Sequence, residues 1–313
     1  MKTSGIDISK ETLDCKIEGI EEIKRYQNNR NGFKQLVKFL KKEVVTLVVI
    51  ESTGGYEKSL FKYLCASDIP TSLINPRQTR SFAYSMGRRA KNDSLDAELL
   101  MEYARKMKPK PTEPLSDAVT ELREFLTRRN QLNKMIVAEK NHAKSPTVTN
   151  ATKKSVRTML KALRAEVLSI DQQITKIIDS HDELSSKAKI LSAQTSVGPV
   201  LLCTLLSDMP ELGKLERNQA SALVGVAPFD QDSGNIKGKR SIAGGRTRLR
   251  CALYMATLSA IRYNPVIKEF YQRLIANGKP RKVAIVACMR KFIIFLNALL
   301  KQHPTAHLLE PQA

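Results

Sequence analysis

The chain's 313 residues are enough for two domains and more than one buried core. A hydrophobic share of 42% excludes a mostly disordered chain, and 52 Lys and Arg against 31 Asp and Glu leave a net charge of +21. That charge asks for a polyanionic partner. Nucleic acid comes first, because each Lys or Arg seated on a phosphate releases condensed cations, and an acidic membrane surface is the competitor.

No apolar run reaches the roughly 20 residues of a spanning helix, and residues 1–17 lack a signal-peptide pattern, so a soluble cytoplasmic protein is expected. Five cysteines (Cys15, Cys65, Cys203, Cys251, Cys288) are scattered without a CxxC pair. They read as reduced thiols, mostly buried. The four histidines (His142, His181, His303, His307) do not cluster, which excludes a zinc site or a histidine-based triad.

In chain order, residues 3–8, 12–18 and 21–27 read as three short strands with tight connections. A helical pattern follows from Asn31 to Lys42. VVTLVVI (44–50) is then a near-continuous β-branched run, as in a strand buried on both faces. A helix over 57–67, a strand at TSLIN (71–75) and two helical segments over 77–106 complete a first domain, 1–110. This order of elements is that of a ribonuclease-H-like (RuvC-like) α/β fold.

MKPKPTEP (107–114) reads as a Pro-punctuated linker. Two long helices follow, broken at SPTVTN (145–150). One stripe of the first carries Leu115, Val119, Leu122 and Leu126. The second steps Leu160, Leu163, Val167, Ile170, Ile174 and Ile177 by threes and fours, a heptad seam. An antiparallel coiled-coil arm over 111–185 is expected, able to serve as a dimer contact. Residues 186–313 form a third, mainly helical region.

KNDSLDAELL (91–100) sets Asp93 and Asp96 three residues apart, on one helix face. Two like charges side by side need compensation. A first-turn acid favoured by the helix dipole is the ordinary explanation of such a pair. Glu51 shifts the balance, since it ends an apolar strand, and Asp7 sits where GIDIS leaves the first strand. First and fourth strands are neighbours in a ribonuclease-H-like sheet, so these carboxylates can converge with those of a later helix. Four oxygen donors suit Mg²⁺, which keeps waters and takes a substrate phosphate as a further ligand.

A second stretch stands out over residues 222–256. From Gly234 to Lys268 there is no acidic residue, while Lys237, Lys239, Arg240, Arg246, Arg248, Arg250, Arg262 and Lys268 all fall there. Gly234, Gly238, Gly244 and Gly245 would let backbone approach a phosphate. The composition suits a nucleic-acid backbone better than an ordinary solvated face. Ser233 heads this stretch in DQDSG, where a Ser-Gly pair by itself is turn chemistry.

GIDISKETLD, IESTGGYE and INPRQTRSFAYSMGRRAKNDSLDAELL, continued by LREFLTRRNQL, resemble the DEDD insertion-sequence transposases, a group that includes the Piv-like DNA invertases and the bridge-RNA-guided recombinases. The resemblance covers nearly the whole chain. It implies that Asp7, Glu51, Asp93 and Asp96 hold Mg²⁺ against a scissile phosphate. It also implies that Ser233, matching the family's Ser-Gly, is the nucleophile on DNA, with Ser241 and then Tyr56 as rivals.

The implied protein is a transposase or site-specific recombinase acting on donor and target DNA. A structured guide RNA is an expected partner, and localisation would be cytoplasmic in a prokaryote, on the nucleoid when DNA is bound. Acids and serine in different domains imply a composite site in a homodimer or tetramer. A Piv-like invertase and a RuvC-like nuclease using water are the alternatives. The chain departs from the family at QTSVGPV (194–200), where Thr195 and Ser196 replace the Pro and Gly of a hairpin and Gly198 is kept.

Overall fold

The computed structural model describes residues 2–52, 54–87, 93–146, 148–230, 238 and 240–303, with backbone alone at 93–95. The chain divides into two compact units, Met1–Pro114 and Leu115–Ala313.

The first unit is built on a five-stranded mixed sheet. Its strands are β1 (Lys2–Ile8), β2 (Thr12–Ile17), β3 (Lys24–Gln27), β4 (Val45–Glu51) and β5 (Thr71–Ile74), in the order β3-β2-β1-β4-β5. β1, β2 and β3 form an antiparallel meander, while β4 and β5 run parallel to β1. The helices are α1 (Arg30–Lys42), α2 (Glu57–Cys65), α3 (Pro76–Ser85) and α4 (Asp93–Met107). β3 is shorter than the run read from sequence. Glu21, Glu22 and Ile23, just before it, take no part in its ladder with β2.

Residue alternation sorts the sheet into two faces. Ile6, Ile8, Leu13, Cys15, Val48 and Ile50 pack with Phe33, Leu36 and Leu40 of α1 and Leu60 and Leu64 of α2. Leu47, Val49 and Ile74 pack on the other face with Phe82 of α3 and Leu100, Tyr103 and Ala104 of α4. β4 is apolar on both sides because both of its faces are covered. The Pro-rich segment after α4 is no free linker over its whole length. Thr112 N–H donates to the Thr71 carbonyl at 2.8 Å, and its hydroxyl accepts from Leu73 N–H at 2.9 Å. Side-chain and backbone bonds thus cover the edge of β5, which blunts an exposed strand edge.

The second unit is helical: α5 (Asp117–Ala143), α6 (Asn150–Ser180), α7 (Asp182–Ser192), α8 (Pro199–Asp208), α9 (Arg217–Val224), α10 (Thr247–Tyr263), α11 (Pro265–Ala276) and α12 (Arg281–Gln302). A two-stranded ribbon, β6 (Pro228–Phe229) with β7 (Ser241–Ile242), joins them and was not foreseen from the apolar pattern. Leu163, Ile170, Ile174 and Ile177 of the seam are buried with Leu122 and Leu126 of α5, in one core that runs on through α8, α10 and α12. Arg129 of α5 pairs with Asp171 of α6 at 2.5 Å.

α12 is long and apolar enough to cross a membrane, contrary to the expectation that no segment would qualify. Its Phe292, Ile293 and Leu296 are fully buried, so here its apolarity fills the core. Cys15, Cys203 and Cys288 are buried, Cys65 is half-buried and Cys251 is exposed; all five are free thiols.

Candidate catalytic site and basic stretch

Asp7 is the next-to-last residue of β1. Its neighbours Ile6 and Ile8 face α1 and α2, so Asp7 and Gly5 face α4. On β4 the same alternation puts Glu51 with Leu47 and Val49 on the α4 side. Ile6 lies beside Ile50 in the parallel register, which makes Asp7 and Glu51 lateral neighbours at the carboxyl ends of adjacent strands. That is where open α/β sheets bind ligands.

The row extends the other way. Asp7 is paired with Asp14 of β2, and Asp14 with Arg25 of β3. Like charges directly opposite each other are destabilising. Arg25 offsets this with a two-pronged bond to Asp14, at 2.7 and 2.8 Å. Asp14 is buried at 6% exposure. Sequence reasoning did not single it out, although the Leu13 and Cys15 flanking it face one core and so send it to Asp7's side.

Gly5 explains how α4 reaches this row. A Cβ at Gly5 would stand 2.2 Å from Met101 N and 2.3 Å from Ala97 O, so the helix backbone rests directly on β1. Further along, Tyr103 and Ala104 pack in the cluster with Leu47 and Val49. The first turn of α4, with half-buried Asp96, therefore lies toward the strand ends that carry Asp7 and Glu51. Asp93 opens α4, and its side chain lies outside the described residues. Among the described residues, no three His, Cys, Asp or Glu side chains come together closely enough to hold a metal ion, a set that leaves out the Asp93 carboxylate.

Glu51 has a partner that the sequence did not announce. Thr79 of α3 is 3% exposed, and its hydroxyl donates to Glu51 Oε2 at 2.5 Å, sharing with the Pro76 carbonyl at 3.0 Å. A threonine one turn into a helix ordinarily reads as a back-bond to its own turn. Tyr56 stands just before α2 and is 49% exposed. Glu57 beside it is buried, accepting the Gly55 N–H at 2.9 Å.

In the second unit Ser233, Lys237 and Lys239 lie outside the described residues. The flanks of that segment are held together, since Phe229 pairs with Ser241 across the ribbon and Arg240 bonds Asp230 at 2.5 Å. Ser241 is exposed.

The arginines that follow are engaged inside the unit. Arg246 pairs with Glu211 at 2.5 Å and donates to the Asp208 carbonyl at 2.6 Å. Arg248 grips Asp208 with two nitrogens and gives a third bond to Thr127 at 2.9 Å. Arg123 joins the cluster through the Ser207 carbonyl at 2.8 Å, and burial pushes its pKa down while Asp208 opposes that shift. Arg250 caps the Gly244 carbonyl. Gly245 likewise has a structural reason. Its φ is +78°, and a Cβ there would meet Gly225 N at 2.2 Å, so the two backbones are in contact where the sequence suggested a phosphate.

The turn between α7 and α8 contains a left-handed residue that is not glycine. Ser196 has φ +75°, and Val197 N–H closes the turn on the Gln194 carbonyl at 3.1 Å. The Ser196 hydroxyl is buried without a hydrogen-bond partner among the described residues.

Known proteins match this chain along most of its length. Residues 4–148 match the family model of the DEDD transposase of IS110, and residues 188–272 match that of the transposase IS116/IS110/IS902 family. The chain is 29% identical over 311 residues to the pilin gene-inverting proteins of Moraxella bovis and of Moraxella lacunata, covering 96% of this chain and 95% of each relative. It is also 29% identical over 159 residues to the insertion element IS900 uncharacterized 42 kDa protein of Mycobacterium paratuberculosis, 48% of this chain and 39% of that one. With the two transposase models matched in order and the pilin gene-inverting proteins aligned over nearly the whole chain, the protein is a DNA transposase or recombinase of the DEDD insertion-sequence type.

Proposed function

We propose that this transposase cuts and exchanges DNA strands at a site built from Asp7, Glu51, Asp93 and Asp96 together with Ser233, the first four on a ribonuclease-H-like domain. The observation that carries the reading is the strand register that makes Asp7 and Glu51 neighbours at the sheet's carboxyl edge, with the start of α4 packed on the same face. Hard carboxylate oxygens on rigid strand ends suit a divalent cation, and Mg²⁺ is the one proposed. When bound, it would neutralise the phosphate oxygens and favour attack at phosphorus.

The chain's own groups do the rest. Asp7 and Glu51 are fixed by the sheet, and Asp93 and Asp96 are delivered by α4. Ser233 Oγ forms a bond to phosphorus as the bond from phosphorus to one sugar oxygen breaks. The serine proton leaves to solvent, and the departing sugar oxygen takes one up. The phosphodiester is conserved as a phosphoserine link, and a sugar hydroxyl of a second strand then displaces the serine.

Functionally the chain would divide as 1–110 for the acids, 111–185 as a coiled-coil arm and 186–313 for the serine. Acids and serine on separate regions favour a composite site shared between protomers of a homodimer or tetramer. The net charge of +21 suits donor and target DNA and a structured guide RNA. Of the residues proposed for that contact, exposed Arg240 is the best placed among those described, with Lys237 and Lys239 beside it in sequence, while Arg246, Arg248 and Arg250 also bond groups within the second unit.

A specific observation favours a second reading, inversion between fixed DNA sites. The pilin gene-inverting proteins align along the full length of this chain. The same residues would serve.

The test is a denaturing gel of the protein incubated with labelled element ends. Asp93→Asn should reduce strand cleavage by about a thousandfold, as loss of a charge-stabilising group does, while leaving DNA binding near wild type. Ser233→Ala should remove the covalent protein–DNA band. A band that survives Ser233→Ala and disappears with Ser241→Ala would assign the nucleophile to Ser241. Cut ends with no adduct from the wild type would mean that water attacks.

A further inference from the structure

We infer that Thr79 is a positioning residue for the Glu51 carboxylate, holding it in the orientation in which it binds the divalent cation. This rests on the reading of Glu51 as a metal ligand.

The juxtaposition follows from three short-range constraints. Ser52 N–H donates to the Ile74 carbonyl at 3.0 Å, and Glu51 is paired with Ile74, so the ends of β4 and β5 are tied at this level. The chain turns directly from β5 into α3, whose start is rigid. Asn75 caps it by accepting from Arg77 N–H at 2.9 Å, the Gln78 side-chain oxygen accepts from Asn75 N–H at 3.4 Å, and Pro76 occupies the first helical position. Thr79, one turn on, is thereby held over Glu51.

Its burial, at 3% exposure, removes water as a competitor for the hydroxyl proton, and the 2.5 Å separation from Glu51, shorter than the 3.0 Å to the Pro76 carbonyl, is that of a charge-assisted bond. Rotation of a carboxylate about its last carbon–carbon bond is intrinsically broad. A fixed donor on Oε2 selects one orientation before a cation arrives. Groups that orient metal ligands in this way change metal affinity by about 10- to 100-fold when removed. Thr79 touches neither the cation nor DNA in this scheme.

The experiment is calorimetric titration of the full-length protein with Mn²⁺, a spectroscopically and thermally tractable stand-in for Mg²⁺, using wild type, Thr79→Ala, Thr79→Ser and Glu51→Gln. Thr79→Ser keeps the hydroxyl and Thr79→Ala lacks it, so the pair differs by one oxygen atom and shares the loss of the methyl group. Thermal unfolding without metal reports on folding of each. The expected result is affinity about tenfold weaker in Thr79→Ala, close to wild type in Thr79→Ser, and lost in Glu51→Gln.

Equal weakening in Ala and Ser variants would overturn the inference, because the packing and not the hydroxyl would matter. Wild-type affinity in Thr79→Ala with loss in Glu51→Gln would also overturn it and leave Glu51 as a ligand. Wild-type affinity in Glu51→Gln would instead defeat the reading of Glu51 itself. If Thr79→Ala fails to fold, the Ser variant decides by the same criterion, and Thr79→Val supplies a second hydroxyl-free side chain that keeps the volume.

Discussion

The acidic row at the sheet's carboxyl edge draws Asp7, Asp14 and Glu51 from three separate strands, whereas the arginines after Ser233 crowd into one short stretch of sequence. They are built on opposite principles. In the first unit Asp7 and Glu51 are lined up side by side by strand register, and the exposed Arg25 grips their neighbour Asp14. In the second unit Arg246 and Arg248 are spent on Asp208 and Glu211, acids that lie about 40 residues earlier in the chain. A local excess of charge therefore says what a segment can attract, and its long-range partners decide how much of that attraction reaches the surface.

Substitutions can break this comparison on either side. The largest stability effect is expected at Gly5. A methyl group there would stand 2.2 Å from backbone of α4, so Gly5→Ala must lift the helix off β1. The overpacking should cost about 3 kcal/mol in denaturant unfolding, and strand cleavage should fall with it because α4 carries Asp93 and Asp96. Cleavage at the wild-type rate would separate α4 from the site.

Next comes the arginine contrast. Arg248→Ala leaves Asp208, at 8% exposure, without its main partner, and should cost about 2 kcal/mol. Arg240→Ala breaks a pair exposed on both sides and should cost less than about 1 kcal/mol. DNA affinity, measured against salt concentration, should respond in the reverse order. Removing Arg240 should flatten the salt dependence by about one phosphate contact. Equal flattening by Arg248→Ala at unchanged stability would mean that Arg248 is a phosphate contact after all.

The smallest effect is common to both units. Burial pushes the thiols of Cys15, Cys203 and Cys288 up to about 11, against 9.0 for a free thiol. Between these values the unfolded chain has lost protons that the folded chain keeps, so each thiol's contribution to stability is intact below pH 9 and is lost as pH rises through 11. Cys288→Ala should make the fall in melting temperature between pH 9 and 11 shallower than in wild type.

Much of the first unit was legible because its signals are local and periodic. VVTLVVI fixes a strand covered on both faces, and the alternation of Ile6, Asp7 and Ile8 sends the acid away from the apolar core. Asp14 was legible in principle by the same alternation, yet only the hairpin register sets it opposite Asp7. Thr79 was not, since its bond to Glu51 spans 28 residues and joins two elements whose packing no periodicity encodes.

In the second unit the helices follow from their apolar stripes, but the fates of Arg246, Arg248 and Gly245 depend on α8, α9 and the ribbon meeting in space. The family's hairpin motif is changed at Ser196. Ser196 takes a left-handed backbone, which costs a non-glycine residue strain, and its hydroxyl is buried without a partner among the described residues, neither of which a local pattern announces.

The most direct measurement is adduct formation by Glu51→Gln. Wild-type protein, labelled element ends and Mn²⁺ are mixed, quenched in denaturant and resolved on a gel beside the variant. The account predicts a metal-dependent covalent protein–DNA band for the wild type and none for Glu51→Gln, with DNA binding by both. A band of wild-type intensity from Glu51→Gln would contradict it.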